Sequence, residues 1–226
     1  MIDKRVAGIA AAMQGIHDGA TVLVGGFGDV GHPIALIQGL LETGAKDLTI
    51  VCNNAGRNRD PGLPQLIALR RVRKVICSFP KGSPVFDDLF RAGSIELDIV
   101  PQGTLAERIR AAGAGIAAFY TRTGVGTQLG AGKECREFDG DTYVMERALF
   151  ADVALVEAWR ADRWGNLSYR GSGRNFNPVM ATAASLTIAQ VDDFVPLGKI
   201  SPDLIGTPGI YVDRVVKVPS ALRSTP

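Results

Sequence analysis

The sequence predicts an α/β fold: a single domain with a mainly parallel central sheet flanked by helices, plus a small β-hairpin region. Three observations predict it. Short apolar runs alternate with helix-like patterns through the first half of the 226 residues, the order that builds a parallel sheet covered on both faces. Asp139-Gly140 stands between two short strand candidates in "ECREFDGDTYVME", a strong hairpin signal. No linker rich in Pro, Gly or Ser divides the chain and no internal repeat is visible, and a chain of this length fills one sizeable core.

The elements follow in order. Residues 2–15 read as a helix and "ATVLVG" as a buried strand. Pro33 opens a second helix at its first turn, with Ile34, Leu36, Ile37, Leu40 and Leu41 on one face and Gly44 as its stop. "DLTIVC" is the next strand, followed by a helix near Leu63 to Leu69. "KVICSF" is a third strand, "SPVFDDLFRAG" a helix ending at Gly93, and "IELDIV" a fourth strand. Thr104 and Glu107 in "TLAERIRAAG" have the spacing of a capping box. Beyond the hairpin, "DVALVEAW" is a strand, and "NPVMATAA" a helix with Asn177 as cap and Pro178 at the first position. "TIAQV" and "IYVDRVVKV" close the sheet, and "RSTP" is a frayed tail.

Composition excludes several classes. The formal charge of +2 gives no electrostatic prior for nucleic acid or membrane, and "RRVRK", Arg70 to Lys74, reads as a solvated helix end. No apolar window reaches membrane-spanning length, and the N-terminus lacks the apolar core of a signal peptide. Cys52, Cys77 and Cys135 form no C-x-x-C and cannot all pair, which fits a reducing, cytoplasmic setting. His17 and His32 have no Cys or acidic neighbours at ligand spacing, so no metal site is expected. No G-x-S-x-G surrounds Ser78, Ser83 or Ser172, against a hydrolase. Cys77 lacks a partnered histidine and reads as a small core hydrophobe.

The strand ends carry the functional clue. In parallel sheets ligands gather beyond the carboxyl ends of the strands, where this sequence puts Gly25–Gly28, Cys52–Asn54, Ser78–Phe79 and Pro101–Gly103. Gly26, Gly28 and Gly31 spell G-x-G-x-x-G. Against a dinucleotide site, the second strand ends in Cys52-Asn53-Asn54 rather than an acid, and the next acid, Asp60, lies in a loop. Pro33 also removes an N–H where pyrophosphate would dock. Bare backbone here serves either close approach of a substrate or positive φ in a tight turn.

Asp18-Gly19, two residues, Val22-Leu23-Val24, Gly25-Gly26-Phe27, three residues, Gly31, one residue, Pro33: this order resembles the motif near the start of the alpha (A) subunits of the family I CoA-transferases. The resemblance continues through "GAKDLTIVCNNAG", "VPQGTLAERIRAAGAGIAAFYTRTGVGT", "REFDG", "WGNLSYR", "RNFNPVMATAA" and "TPGIYVDRVV", nearly the whole chain. It implies a fold of the CoA-transferase and NagB-like kind over residues 1–218, with 219–226 as tail. It also implies a reaction in which an acyl-CoA thioester is attacked by a glutamate of the beta (B) subunit. A mixed anhydride and then an enzyme–CoA thioester follow, and a second carboxylate accepts the CoA. That glutamate sits in a Ser-Glu-Asn-Gly context, which this chain lacks; Glu42, Glu107, Glu134 and Glu157 stand in other settings.

The resemblance therefore implies a half-enzyme that works only with a beta subunit, in an α2β2 heterotetramer. CoA thioester is its substrate, and no cofactor is expected. Gln102 in "PQG" becomes the oxyanion donor of this side, a role an amide fills without titrating. The loop Val24, Gly25, Gly26, Phe27, Gly28, Asp29, Val30, Gly31 lines the acyl and pantetheine side, with Phe27 as apolar floor or simple core. Asn53 and Asn54 hydrogen-bond substrate or cap the turn. Arg170 and Arg174 recognise a carboxylate or bridge to the other subunit. Gly171-Ser172-Gly173 departs from the Lys-Ser/Ala-Ala of similar sequences and loosens inference about specificity from that loop. The expected substrates are succinyl-CoA and a 3-oxoacid, with 3-oxoadipate favoured on "VRKVICSFP", "VFDDLFRAGSIEL" and "DRWGNLSYR", and acetoacetate the runner-up. Rivals of other classes are a sugar-phosphate isomerase on a related fold and a non-catalytic binding partner.

Overall fold

The computed structural model describes residues 2–56 and 62–218. Asp60 and the "RSTP" tail lie outside the described residues. The first half delivers the expected alternation: α1 (Ile9–Ala12), β1 (Thr21–Val24), α2 (Ile34–Thr43), β2 (Leu48–Asn54), α3 (Leu63–Ala68), β3 (Val72–Phe79), α4 (Pro84–Arg91), β4 (Glu96–Ile99) and α5 (Gln102–Gly113). A small sheet of β5 (Ala118–Thr121), β6 (Cys135–Phe138) and β7 (Asp141–Arg147) follows. Then come β8 (Ala151–Ala161), β9 (Leu167–Ser168), α6 (Asn177–Ala181), β10 (Ala184–Phe194) and β11 (Arg214–Lys217).

The main sheet runs β11-β10-β8-β1-β2-β3-β4, with β9 antiparallel beside β8 and every other pairing parallel. Successive strand residues alternate between two cores, as period-two side chains require. Val22, Val24, Ile50, Cys52, Val75 and Cys77 join Leu36, Leu40, Leu66 and Phe86 of α2–α4. Leu23, Val51 and Ile76 face the other way, onto Leu105 and Ile109 of α5 and Met180 of α6. Covering both faces explains why these strands read as continuous apolar runs. Among the described residues no helix is long and apolar enough to cross a membrane.

Several expectations need correction. The N-terminal helix shrinks to four residues, because Lys4 to Val6 instead pair with β11 through Val6 N–H to Val215 O (2.9 Å) and Val215 N–H to Lys4 O (2.8 Å). Pro33 caps α2 from outside rather than sitting in its first turn; Gly44 ends it at φ +78° as expected. The Thr104–Glu107 capping box does not form. Helix α5 begins earlier, at Gln102, so Thr104 lies inside it with a buried hydroxyl that has no partner among the described residues, and Glu107 pairs with Arg110. "IYVDRVVKV" splits into a 3₁₀ turn, Gly209–Tyr211, before β11. The Asp139-Gly140 turn appears with φ of +52° and +82°, but its hairpin gains β5 as a third strand on the far side of β7.

Candidate active site at the carboxyl edge of the sheet

The chain leaves β1 in one direction to build β2, β3 and β4 and returns on its other side with β8, β10 and β11. The carboxyl end of β1 is therefore the switch point where a parallel sheet opens a crevice. The glycine loop, residues 25–31, occupies it, with Gly25 N–H still bonded to Leu155 O of β8 (2.9 Å). Val24 ends the buried strand below.

Inside the loop Phe27 and Val30 exchange both backbone hydrogen bonds (3.0 and 3.1 Å) around Gly28-Asp29. Gly28 has φ +62° while Asp29 is not positive, the II′ arrangement that favours glycine first. A Cβ on Gly26 would stand 2.5 Å from His32 Nδ1; the same ring contacts Gly28 O through Nε2 at 2.9 Å. A Cβ on Gly31 would meet Asn175 Nδ2 at 2.6 Å and Gly173 O at 2.7 Å. Each glycine of the fingerprint thus has a cause within the protein. Phe27 is 47% exposed, which rules out the core reading. Among the described residues no acceptor is found for the N–H groups of Gly26 and Gly28.

The next strand end supplies amides. Asn54 Oδ1 accepts from Gly56 N–H (3.2 Å) and its Nδ2 reaches Gly28 O (3.4 Å), so it caps the turn and touches the loop. Buried Asn53 turns to the other side, where its Oδ1 accepts from Gln102 Nε2 at 2.7 Å. Gln102 is exposed at the first residue of α5, capped by Pro101. Its carboxamide carries two N–H donors; one is fixed by Asn53, leaving the second and the carbonyl to the cleft. Two pairs thus stand at this strand end: Gln102 is bonded to Asn53, and Asn54 to the glycine loop through Gly28 O.

Asn177, which the sequence reads as a helix cap, has another place in the structure. It is the first residue of α6, capped by Phe176 without any side-chain bond, and it is fully buried. Its Oδ1 accepts from Glu157 N–H (2.9 Å), while Nδ2 donates to Gly31 O (3.0 Å) and Gly173 O (2.9 Å). A Cβ on Gly25 would overlap that Oδ1. Asn175 adds a bond from Nδ2 to Val30 O (3.1 Å). The signal in the sequence is the pair of asparagines around Phe176, but Asn-Pro is also the pattern of a helix start, which masks it.

Other candidates are placed as follows. Arg170 and Arg174 are exposed, and among the described residues neither side chain makes an ion pair or hydrogen bond. Burial pushes the Tyr169 phenol well above its usual range, against hydrogen bonding to Thr207 and the nearby charge of Arg174. Glu157 accepts from buried Gln190 (2.8 Å), whose Oε1 takes the N–H of Leu36. Burial pushes the Cys77 thiol up to about 11 and raises Cys52 well above the ordinary thiol value, leaving neither a thiolate at neutral pH. Among the described residues no cluster of three or more His, Cys, Asp or Glu stands ready for a metal ion.

The coenzyme A transferase family model matches residues 6–218, nearly the whole molecule. The chain belongs to this family. The CoA-transferase chain is 57% identical to the alpha (A) subunit of the 3-oxoadipate CoA-transferase of Pseudomonas putida, over 100% of this chain and 98% of that one. It is 53% identical to the alpha (A) subunit of the succinyl-CoA:3-ketoacid coenzyme A transferase of Xanthomonas campestris, covering 94% of this chain and 88% of the relative. Its fold matches an acyl-CoA transferase of Escherichia coli, solved as a thioester complex with CoA, at a TM-score of 0.84 and 24% identity. That likeness covers 96% of this chain and 48% of the other, so this CoA-transferase chain spans about half the length of that protein.

Proposed function

We propose that the chain is the alpha subunit of an enzyme moving CoA from succinyl-CoA to a 3-oxoacid, with 3-oxoadipate as the acceptor ahead of acetoacetate. The observation that carries the reading is the Gln102–Asn53 pair at the carboxyl edge of the sheet, an exposed amide donor held in place by a buried partner. Negative charge building on a thioester carbonyl needs donors arranged beforehand. Glu107 pairs with Arg110, Glu134 with Tyr120 and Arg136, and Glu157 with Gln190, while Glu42 lies in the last turn of α2 and Glu137 in the small sheet. In this reading the attacking carboxylate comes from another polypeptide, the beta subunit, in keeping with relatives that are themselves named as single subunits of their enzymes.

In this reading the glutamate of the beta subunit joins the thioester carbonyl, the second N–H of Gln102 receives the oxyanion, and CoA leaves as thiolate. CoA then displaces the carboxylate from the resulting anhydride and is held on the enzyme as a thioester until the 3-oxoacid takes it. Bonds are exchanged without any change of oxidation state, so neither cofactor nor metal is invoked. An α2β2 assembly in the cytoplasm is part of the proposal, as is the preference for 3-oxoadipate, which rests on the slightly higher identity to the P. putida chain.

The test is reconstitution with the beta subunit, followed by a side-by-side comparison of 3-oxoadipate and acetoacetate as acceptors. Activity only in the mixture, with higher kcat/KM for 3-oxoadipate, is expected. Full transfer by the alpha chain alone overturns the half-enzyme reading, and a higher kcat/KM for acetoacetate overturns the acceptor assignment.

A further inference from the structure

We propose that Asn177 is a positioning residue for this reaction: its carboxamide sets the shape of the glycine loop and locks the turn at residues 171–175 onto it. The inference rests on the transferase reading above. Every hydrogen-bonding group of the side chain is committed. Both amide hydrogens go to the carbonyls of Gly31 and Gly173, and Oδ1 holds the Glu157 N–H of β8. These three partners belong to the glycine loop, the turn before α6, and the sheet, so one buried amide joins all three parts. The fit is also steric. Gly25 has no room for a Cβ because Asn177 Oδ1 fills the space, and Gly31 would place one 2.9 Å from Asn177 Nδ2. Two glycines of the loop are thus shaped around Asn177.

The consequence reaches function as well as cohesion. Asn177 is fully buried, and the carbonyls it holds belong to the glycine loop and to the turn before α6. Small errors in such placement are costly, since a displacement of about 1 Å can lower turnover on the order of 10²-fold.

Asn177→Asp tests this in the complex reconstituted with the beta subunit. The replacement has the same size and keeps an acceptor for Glu157 N–H, but turns a carboxylate oxygen toward two carbonyls. We expect kcat/KM for the 3-oxoacid to fall on the order of 10²-fold at pH 8, with assembly retained. Protonation of the introduced carboxyl restores a donor, and its burial raises the pH at which that happens. The variant-to-wild-type ratio therefore rises as pH falls from 8 to 6. The charged and titratable side chains of the packed elements, His32, Glu157 and Arg174, are present in all the proteins compared, and Asn177→Ala, which adds no carboxyl, is the control for their own response to pH. Asn177→Ala shows the loss without the pH-dependent recovery. A ratio near one at pH 8, or an equal and pH-independent loss in both variants, overturns the proposal. Should the Asp variant not assemble, Asn177→Ser carries the test: it keeps one donor and should retain more kcat/KM than Asn177→Ala, and equality of the two overturns it. An inactive wild-type complex would instead strike at the functional reading itself.

Discussion

Replacing Gln102 by alanine separates the chemistry of the cleft from its architecture. The side chain donates to Asn53 at 2.7 Å and offers a second N–H to the opening. The structural cost of its removal runs through Asn53, which is only 5% exposed. An orphaned buried acceptor costs about 1–3 kcal/mol at most. Here the vacated place opens to solvent, because Gln102 is exposed, and a bridging water recovers most of that bond. Helix α5 loses nothing at its start, since its cap is Pro101 and no side-chain cap bond exists. The net loss should stay below about 1 kcal/mol, a fall in Tm of ~2–4 °C for a chain of this size.

The catalytic cost is of another order. Loss of one prearranged oxyanion donor lowers kcat by about 10²–10³, equivalent to roughly 2.7–4 kcal/mol at the transition state. The assay is steady-state transfer by the reconstituted complex, with thermal unfolding of the alpha chain followed by circular dichroism. Expected is a large fall in kcat, a small change in KM and a nearly unmoved Tm. Retention of kcat within about three-fold of wild type refutes the oxyanion role. A fall in Tm beyond ~8 °C with loss of folded protein assigns Gln102 to the scaffold instead.

Three further outcomes follow from the same geometry. Gly25→Ala should destabilise the alpha chain by about 3 kcal/mol, the upper end of overpacking costs, because its Cβ would overlap buried Asn177, whereas Gly28→Ala, which meets no atom within 4 Å, should cost only the left-handed strain of about 1 kcal/mol; urea melts distinguish them, and equal midpoints contradict the packing argument. In the isolated alpha chain a thiol reagent at pH 8 should label Cys135 rapidly and Cys52 and Cys77 only on unfolding, because the latter two are buried with raised pKa values. The unfolded chain ionises those two thiols near the ordinary value of 9.0, whereas the folded chain holds Cys77 up to about 11 and Cys52 well above the ordinary value, so stability should fall as pH rises above about 9, which melts between about pH 8 and 11 will show. Lys133→Met leaves buried Glu146, among the described residues, with Arg108 at 4.0 Å as its one remaining cation, and should lower stability by about 1–3 kcal/mol; an unchanged urea midpoint counts against the buried pair.

The sheet is legible in the sequence because its signals are local. Strands buried on both faces read as apolar runs, and α2 carries its apolar face and its Gly44 stop in one short segment. The failures share a cause. Residues 4–6 have a helix-compatible sequence but pair with β11, some two hundred positions away, and no window of sequence displays that partner. The capping box of α5 fails for a related reason: Pro101, just past the end of β4, starts the helix sooner, which turns Thr104 inward and brings Gln102 to the edge where Asn53 can reach it. A pattern with the spacing of a cap thus belongs to the segment that brings Gln102 onto Asn53.

The glycine loop shows where sequence logic stops. Its spacing alone fits a phosphate loop, a substrate-approach surface and a tight turn equally well, and the missing acid after β2 removes only the first. What decides between the others is the identity of the atoms facing each glycine. Those atoms belong to His32, six positions away, and to Asn175 and Asn177, nearly one hundred and fifty positions away. The bareness of Gly25 and Gly31 answers to buried amides of this chain, whereas the Gly26 and Gly28 N–H groups have no acceptors among the described residues. The loop therefore divides its labour: its Cβ-free positions accommodate the scaffold, and its unpaired N–H groups are what it can offer a substrate. Substitutions at Gly25 should consequently register first in folding and those at Gly28 first in turnover, an ordering that a loop shaped solely by ligand contact would not produce.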